Sequence, residues 1–122
     1  MTKLLSTSAL AAGVMLAGMT SAFAHAEFVK SVPAPDASVT SPAEIDITFS
    51  EGINLKFSGA KLADSMKMSV DTGPAGLAKG GDTTLVIPVT KPLAAGEYVV
   101  TWHNLSKDGH KSKGSFKFTV KP

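Results

Sequence analysis

EIDITFS, residues 44–50, alternates without a break: Ile45, Ile47 and Phe49 are apolar, while Glu44, Asp46 and Thr48 are polar. A period of two is the pattern of a strand with one buried and one wetted face. SFKFTV, residues 115–120, repeats it with Phe116, Phe118 and Val120 on the apolar side. TLVIPVT (84–90) and EYVVTWHNL (97–105) predict two more strands, the second with Tyr98, Val100 and Trp102 facing inward. Pro88 cannot donate to a ladder and marks the first of these as an edge or bulged strand. EFVKSV, GAKLAD and MKMSV are weaker strand segments that bring the expected number to about seven.

Short runs rich in proline, glycine, serine and aspartate separate these segments: PAPDAS, SEGINLKFSG, DTGPAGLAKGGD, KPLAAGE and SKDGHKSKG. No segment carries a long helical period with caps. The expected fold is therefore all-β, an immunoglobulin-like antiparallel β-sandwich with Greek-key connections and Trp102 in its core.

The first 24 residues, MTKLLSTSALAAGVMLAGMTSAFA, read differently. An early lysine, an apolar run and a small-x-small ending at Ala22-Phe23-Ala24 form a secretory signal peptide. The apolar part is shorter and more interrupted than a membrane span of about 20 residues requires. Cleavage is expected after Ala24, leaving an exported, soluble domain of residues 25–122 that begins at His25. About 100 residues support one core. The chain has no cysteine, so this core must hold without disulfides, and a thiolate metal site or cysteine nucleophile is excluded.

The formal net charge is +2 and no arginine occurs. Arginine supplies much of the bidentate phosphate and base recognition of nucleic-acid binders, so that class is not expected. The lysines are scattered along the chain and read as a solvated surface.

A mature His25 would carry a free α-amine and an imidazole on one residue. A free amine ordinarily has a pKa near 8 and a free imidazole near 6.5, so a metal near neutral pH can displace a proton from such an amine and bind a neutral ring. Amine and imidazole without sulfur suit Cu(II) best, and Zn(II) also remains open. Asp108 and His110 stand two apart in the loop SKDGHKSKG; there the carboxylate can bind a metal directly or hold the ring of a liganding histidine. An ordinary solvated loop would show the same spacing. His103 follows Trp102, and alternation turns it outward.

Beyond these residues the sequence resembles the CopC family of periplasmic copper-binding proteins. The likeness rests on His25, SVPAPDASV, ITFSEGI, FSGAKL, PLAAGEYVVTW, and KDGH followed by GSFKFTV. It implies a sandwich with a Cu(II) site at one end. The ligands it implies are His25 through amine and imidazole, His110, and in varying degree Asp108, with Glu51 as a distant or outer ligand. It also implies periplasmic copper homeostasis or resistance, with copper either sequestered or passed to an inner-membrane permease of the CopD type. Some family members bind Cu(I) through a methionine-rich loop. Here only Met66 and Met68 follow residue 24, too few soft donors for a tight Cu(I) site, and a Cu(II)-only protein that is not an enzyme is expected. Two alternatives remain beside it. One is a copper monooxygenase built on the same amine-histidine chelate, the other an immunoglobulin-like module whose histidines are incidental.

Overall fold

The alternation of EIDITFS fixes which way its strand faces. In the computed structural model, which describes residues 25–122, Ile45, Ile47 and Phe49 are buried and Glu44, Asp46 and Thr48 lie on the outer side. The expected signal peptide lies outside the described residues. Nine strands occur among the described residues: β1 (Phe28–Val32), β2 (Ser38–Val39), β3 (Glu44–Phe49), β4 (Gly59–Asp64), β5 (Ser69–Val70), β6 (Gly76–Leu77), β7 (Thr84–Pro88), β8 (Gly96–Leu105) and β9 (Lys111–Val120). The only helical piece among them is a single 3-10 turn, Leu55–Phe57. No helix of the described residues is long and apolar enough to cross a membrane.

Two sheets form, in the orders β1-β3-β7-β6 and β2-β9-β8-β4-β5. All pairings are antiparallel except that of β2 with β9. The core lies between them, with Ile45, Ile47, Phe49, Leu85 and Ile87 from one sheet and Leu62, Tyr98, Val100, Trp102, Phe116 and Phe118 from the other. Each fully buried aliphatic or aromatic side chain contributes about 1.5–3 kcal/mol, and this apolar layer stabilises the chain without disulfides. The Tyr98 hydroxyl donates to the Ala94 carbonyl at 2.7 Å, the corner tie of immunoglobulin-like sandwiches.

The expected β-sandwich is thus the observed fold, with two local differences. MKMSV contributes only Ser69 and Val70 to a strand, because Met66 and Met68 belong to the β4–β5 turn. The Pro88 strand is flanked on both sides, by β3 and β6. β6 reaches only Leu85 and Val86, however, so the proline sits past the end of that ladder, where no N–H is required.

The long hairpin β8–β9 positions the region of interest. Leu105 pairs with Lys111 at its root, and the ladder runs back to Gly96 and Val120. Trp102 faces Gly114 across this ladder. A Cβ on Gly114 would stand 2.6 Å from the indole, so only glycine lets the ring lie over the neighbouring strand. Phe49 meets the same ring edge-on, centroids 5.0 Å apart, coupling the two sheets just below the hairpin tip.

Candidate metal centre

The tip of the β8–β9 hairpin is a three-residue turn, Lys107 to Gly109. The Ser106 N–H donates to the His110 carbonyl at 2.8 Å, and the Gly109 N–H donates to the Ser106 carbonyl at 2.9 Å. Gly109 has φ +93°, the left-handed conformation that closes such a turn and that glycine adopts without a side-chain clash. The turn is stitched to its neighbours: Lys107 N–H donates to the Gly52 carbonyl and Asn54 N–H to the Leu105 carbonyl, at 2.9 and 2.8 Å.

Ser106, buried at the root of the turn, organises both candidate ligands. Its hydroxyl donates to Asp108 Oδ1 and accepts the His110 N–H at 3.1 Å. The same Asp108 oxygen lies 3.0 Å from His110 Nδ1, so the ring N–H donates to the carboxylate and a metal bond would be made through Nε2. The Ser106 hydroxyl first, and then the His110 ring, hold the Asp108 carboxyl down at about 2. Asp108 is therefore an anion throughout the neutral range, fixed behind the imidazole.

His25 reaches this loop from the other end of the chain. Ala26 is fully buried in the core, and Asn104 Nδ2 donates to its carbonyl at 3.0 Å. On the other side, the Ser50 hydroxyl donates to the His25 carbonyl at 3.2 Å and accepts the Glu27 N–H at 2.9 Å, while Ser50 N–H donates to the Glu27 carbonyl. Residues 25–27 are thus held between the end of β3 and the end of β8. The His25 and His110 rings stand 5.0 Å apart, centroid to centroid, tilted by 57°. With metal–nitrogen bonds of about 2.0 Å, two imidazoles sharing one ion have centroids roughly 4.4–6.2 Å apart. The observed separation fits a shared ion.

Of the sequence-predicted residues, His25, His110 and Asp108 are brought together. Glu51 follows Ser50 on the exposed bend after β3. No three His, Asp or Glu side chains among the described residues are already drawn into one metal-holding group. The fold assembles two rings with a carboxylate behind one of them. His103 is exposed on the outer face of the five-stranded sheet, as alternation requires. Met66 and Met68, at 80% and 63% exposure, lie in the β4–β5 turn.

Ser50, Asn104 and Ser106 were not among the expected site residues. Two of them carried a signal: Asn104 and Ser106 continue the inward parity of Tyr98, Val100 and Trp102, and a polar residue where alternation requires an apolar one needs a buried partner. Asn104 Oδ1 is itself buried without a hydrogen bond among the described residues.

Residues 28–121 match the CopC domain. The chain belongs to the CopC family. Copper resistance protein C of Escherichia coli is 40% identical over 124 residues, covering 97% of this chain and 98% of that one. Copper resistance protein C of Pseudomonas syringae pv. tomato is 39% identical over 116 residues, covering 91% and 90%. Among solved structures, PcoC, a methionine-rich copper resistance protein from Escherichia coli, superposes with a TM-score of 0.75 at 38% identity, covering 80% of this chain and all of that one. The CopC-family chain described here retains that sandwich while keeping only Met66 and Met68 beyond residue 24.

Proposed function

We propose that this chain is an exported copper-homeostasis protein that binds Cu(II) through His25, His110 and Asp108 at the β8–β9 end of the sandwich. The observation that carries the reading is the approach of the two imidazoles to 5.0 Å with Asp108 on Nδ1 of one of them. Nitrogen and oxygen donors without sulfur favour Cu(II), and the copper-resistance relatives support the same metal. Copper here is cargo. Removal of residues 1–24 would free the His25 amine beside its own imidazole, so export would itself create a ligand. His110 contributes Nε2, with its tautomer set by Asp108. Asp108 Oδ1 is already engaged, so any direct carboxylate contact falls to Oδ2. Glu51 is proposed as an outer oxygen donor on the family resemblance alone. The periplasm is the proposed location and a CopD-type permease of the inner membrane the proposed recipient.

This role requires binding and release without turnover, so the protein is not proposed as an enzyme. The decisive experiment is electron paramagnetic resonance with one equivalent of Cu(II), on protein beginning at His25 and on protein with one added N-terminal residue. A tetragonal, nitrogen-rich spectrum that changes with the extension is expected. A spectrum indifferent to it would overturn the amine chelate, and ascorbate-driven oxidation of a polysaccharide would replace the carrier with a monooxygenase.

A further inference from the structure

Three of the lysines that look scattered in sequence, Lys56, Lys111 and Lys113, come together in space. On the outer face of the five-stranded sheet, beside the root of the hairpin turn, lies a groove of about 780 Å³ lined by Lys56, Phe57, His103, Leu105, Lys111 and Lys113. Strand parity puts Lys111 and Lys113 on one side, and the 3-10 turn brings Lys56 and Phe57 to the other. Phe57 is 54% exposed, an uncommon state for a phenylalanine, with Lys56 Nζ 5.7 Å from its ring centroid.

Two lysines outside the groove are paired with carboxylates: Lys107 lies 3.7 Å from Asp82, and Lys117 lies 3.9 Å from Glu97. Lys56, Lys111 and Lys113 have none among the described residues, and no Asp or Glu lines the groove. Like charges held around an apolar cleft are a focused positive potential awaiting a negative partner. The volume exceeds what a single small anion needs and suits several residues of chain. Phe57 and Leu105 supply apolar anchorage of the kind that holds the centre of a peptide interface.

We infer that this groove docks an acidic, partly apolar segment of the polypeptide that exchanges copper with this chain. The identity of the cargo rests on the proposed function, whereas the docking does not. Leu105 pairs with Lys111 at the root of the turn that carries Asp108 and His110, so a segment lying in the groove ends beside the metal ligands. A partner held there brings its own copper site within reach of His110 without occupying it.

The test uses protein exported from the full chain and a fluorescein-labelled nonapeptide of alternating Glu and Leu, with a Gln-for-Glu control. Fluorescence anisotropy should show the Glu peptide binding about tenfold tighter than the control. Lys56→Glu, Lys111→Glu and Lys113→Glu together should weaken it by at least about tenfold. Raising salt from about 50 to about 300 mM should also weaken it. Nuclear magnetic resonance shifts should cluster at Phe57 and His103. Equal binding of the two peptides, indifference to the three charge reversals, or shifts elsewhere would overturn the docking. Preference for phosphatidylglycerol vesicles over the peptide would also overturn it and assign the groove to a membrane surface. The lysine variant must keep the copper spectrum of the parent, which also shows that it folds. His110→Ala must lose that spectrum and keep peptide binding, so the docking and the copper site fail separately.

Discussion

The five-stranded sheet carries the same turn twice, at opposite ends. At the β8–β9 tip, Ser106 N–H donates to the His110 carbonyl and Gly109 N–H to the Ser106 carbonyl; at the β4–β5 tip, Asp64 N–H donates to the Met68 carbonyl and Lys67 N–H to the Asp64 carbonyl. Gly109 and Lys67 occupy the equivalent left-handed position, at φ +93° and +66°. Asp108 and His110 therefore correspond to Met66 and Met68. What differs is the residue at the root. Asp64 Oδ1 accepts the N–H groups of Met66 and Met68, both at 2.9 Å, so it organises backbone and leaves both thioethers in solvent. Ser106 accepts one backbone N–H and gives its own proton to Asp108, which in turn holds the His110 ring. One hydroxyl in place of a carboxylate carries order from the backbone out to side chains. Preorganised donors are what tight metal binding needs.

The largest difference between the ends should appear when each pair is removed. His110→Ala is expected to weaken Cu(II) binding about a hundredfold or more, roughly 2.7 kcal/mol. Met66→Ser with Met68→Ser should change it by less than about twofold, and competition titration against a chelator of known affinity measures both. Comparable losses at the two ends would show that the turns are functionally equivalent after all. Next in size is Ser106→Ala, which removes the hydroxyl that positions Asp108. Groups that orient a liganding ring typically contribute about 10–100-fold in affinity, and about tenfold is expected here because Asp108 still reaches Nδ1. Ser106→Thr should recover part of it. A variant that destabilises the fold without altering copper affinity would reduce Ser106 to a structural role.

How much of this was visible in the chain follows from range. Period-two alternation in EIDITFS, EYVVTWHNL and SFKFTV reports which side of a strand meets the core, and the sandwich follows from it. The D-x-H pair is local and could be read directly. Its distance to His25, 85 positions away in sequence, could not, because it depends on Asn104 and Ser50 holding residues 25–27 against two strand ends. Lys56 joins Lys111 and Lys113 only through the contact of the 3-10 turn with β8, which no pattern in sequence announces. MKMSV misled because two methionines flanking a lysine mimic alternation, whereas Asp64 caps them into a turn.

The smallest effect should come from exchanging the two left-handed residues. An L side chain at positive φ costs about 1 kcal/mol that glycine does not, because its Cβ crowds the adjacent carbonyl. Lys67 bears that cost and Gly109 avoids it, so Gly109→Lys should lower unfolding free energy by about 1 kcal/mol. Lys67→Gly should raise it by a smaller amount, since glycine also gains freedom in the unfolded chain. Urea midpoints at constant slope would measure both. The copper readout separates the ends further: Gly109→Lys shifts the segment between Asp108 and His110 and should cost several-fold in affinity, whereas Lys67→Gly should leave affinity unchanged. If Gly109→Lys were neutral in both readouts, the turn would tolerate either residue. The order at the β8–β9 tip would then rest on the Ser106 hydrogen bonds alone.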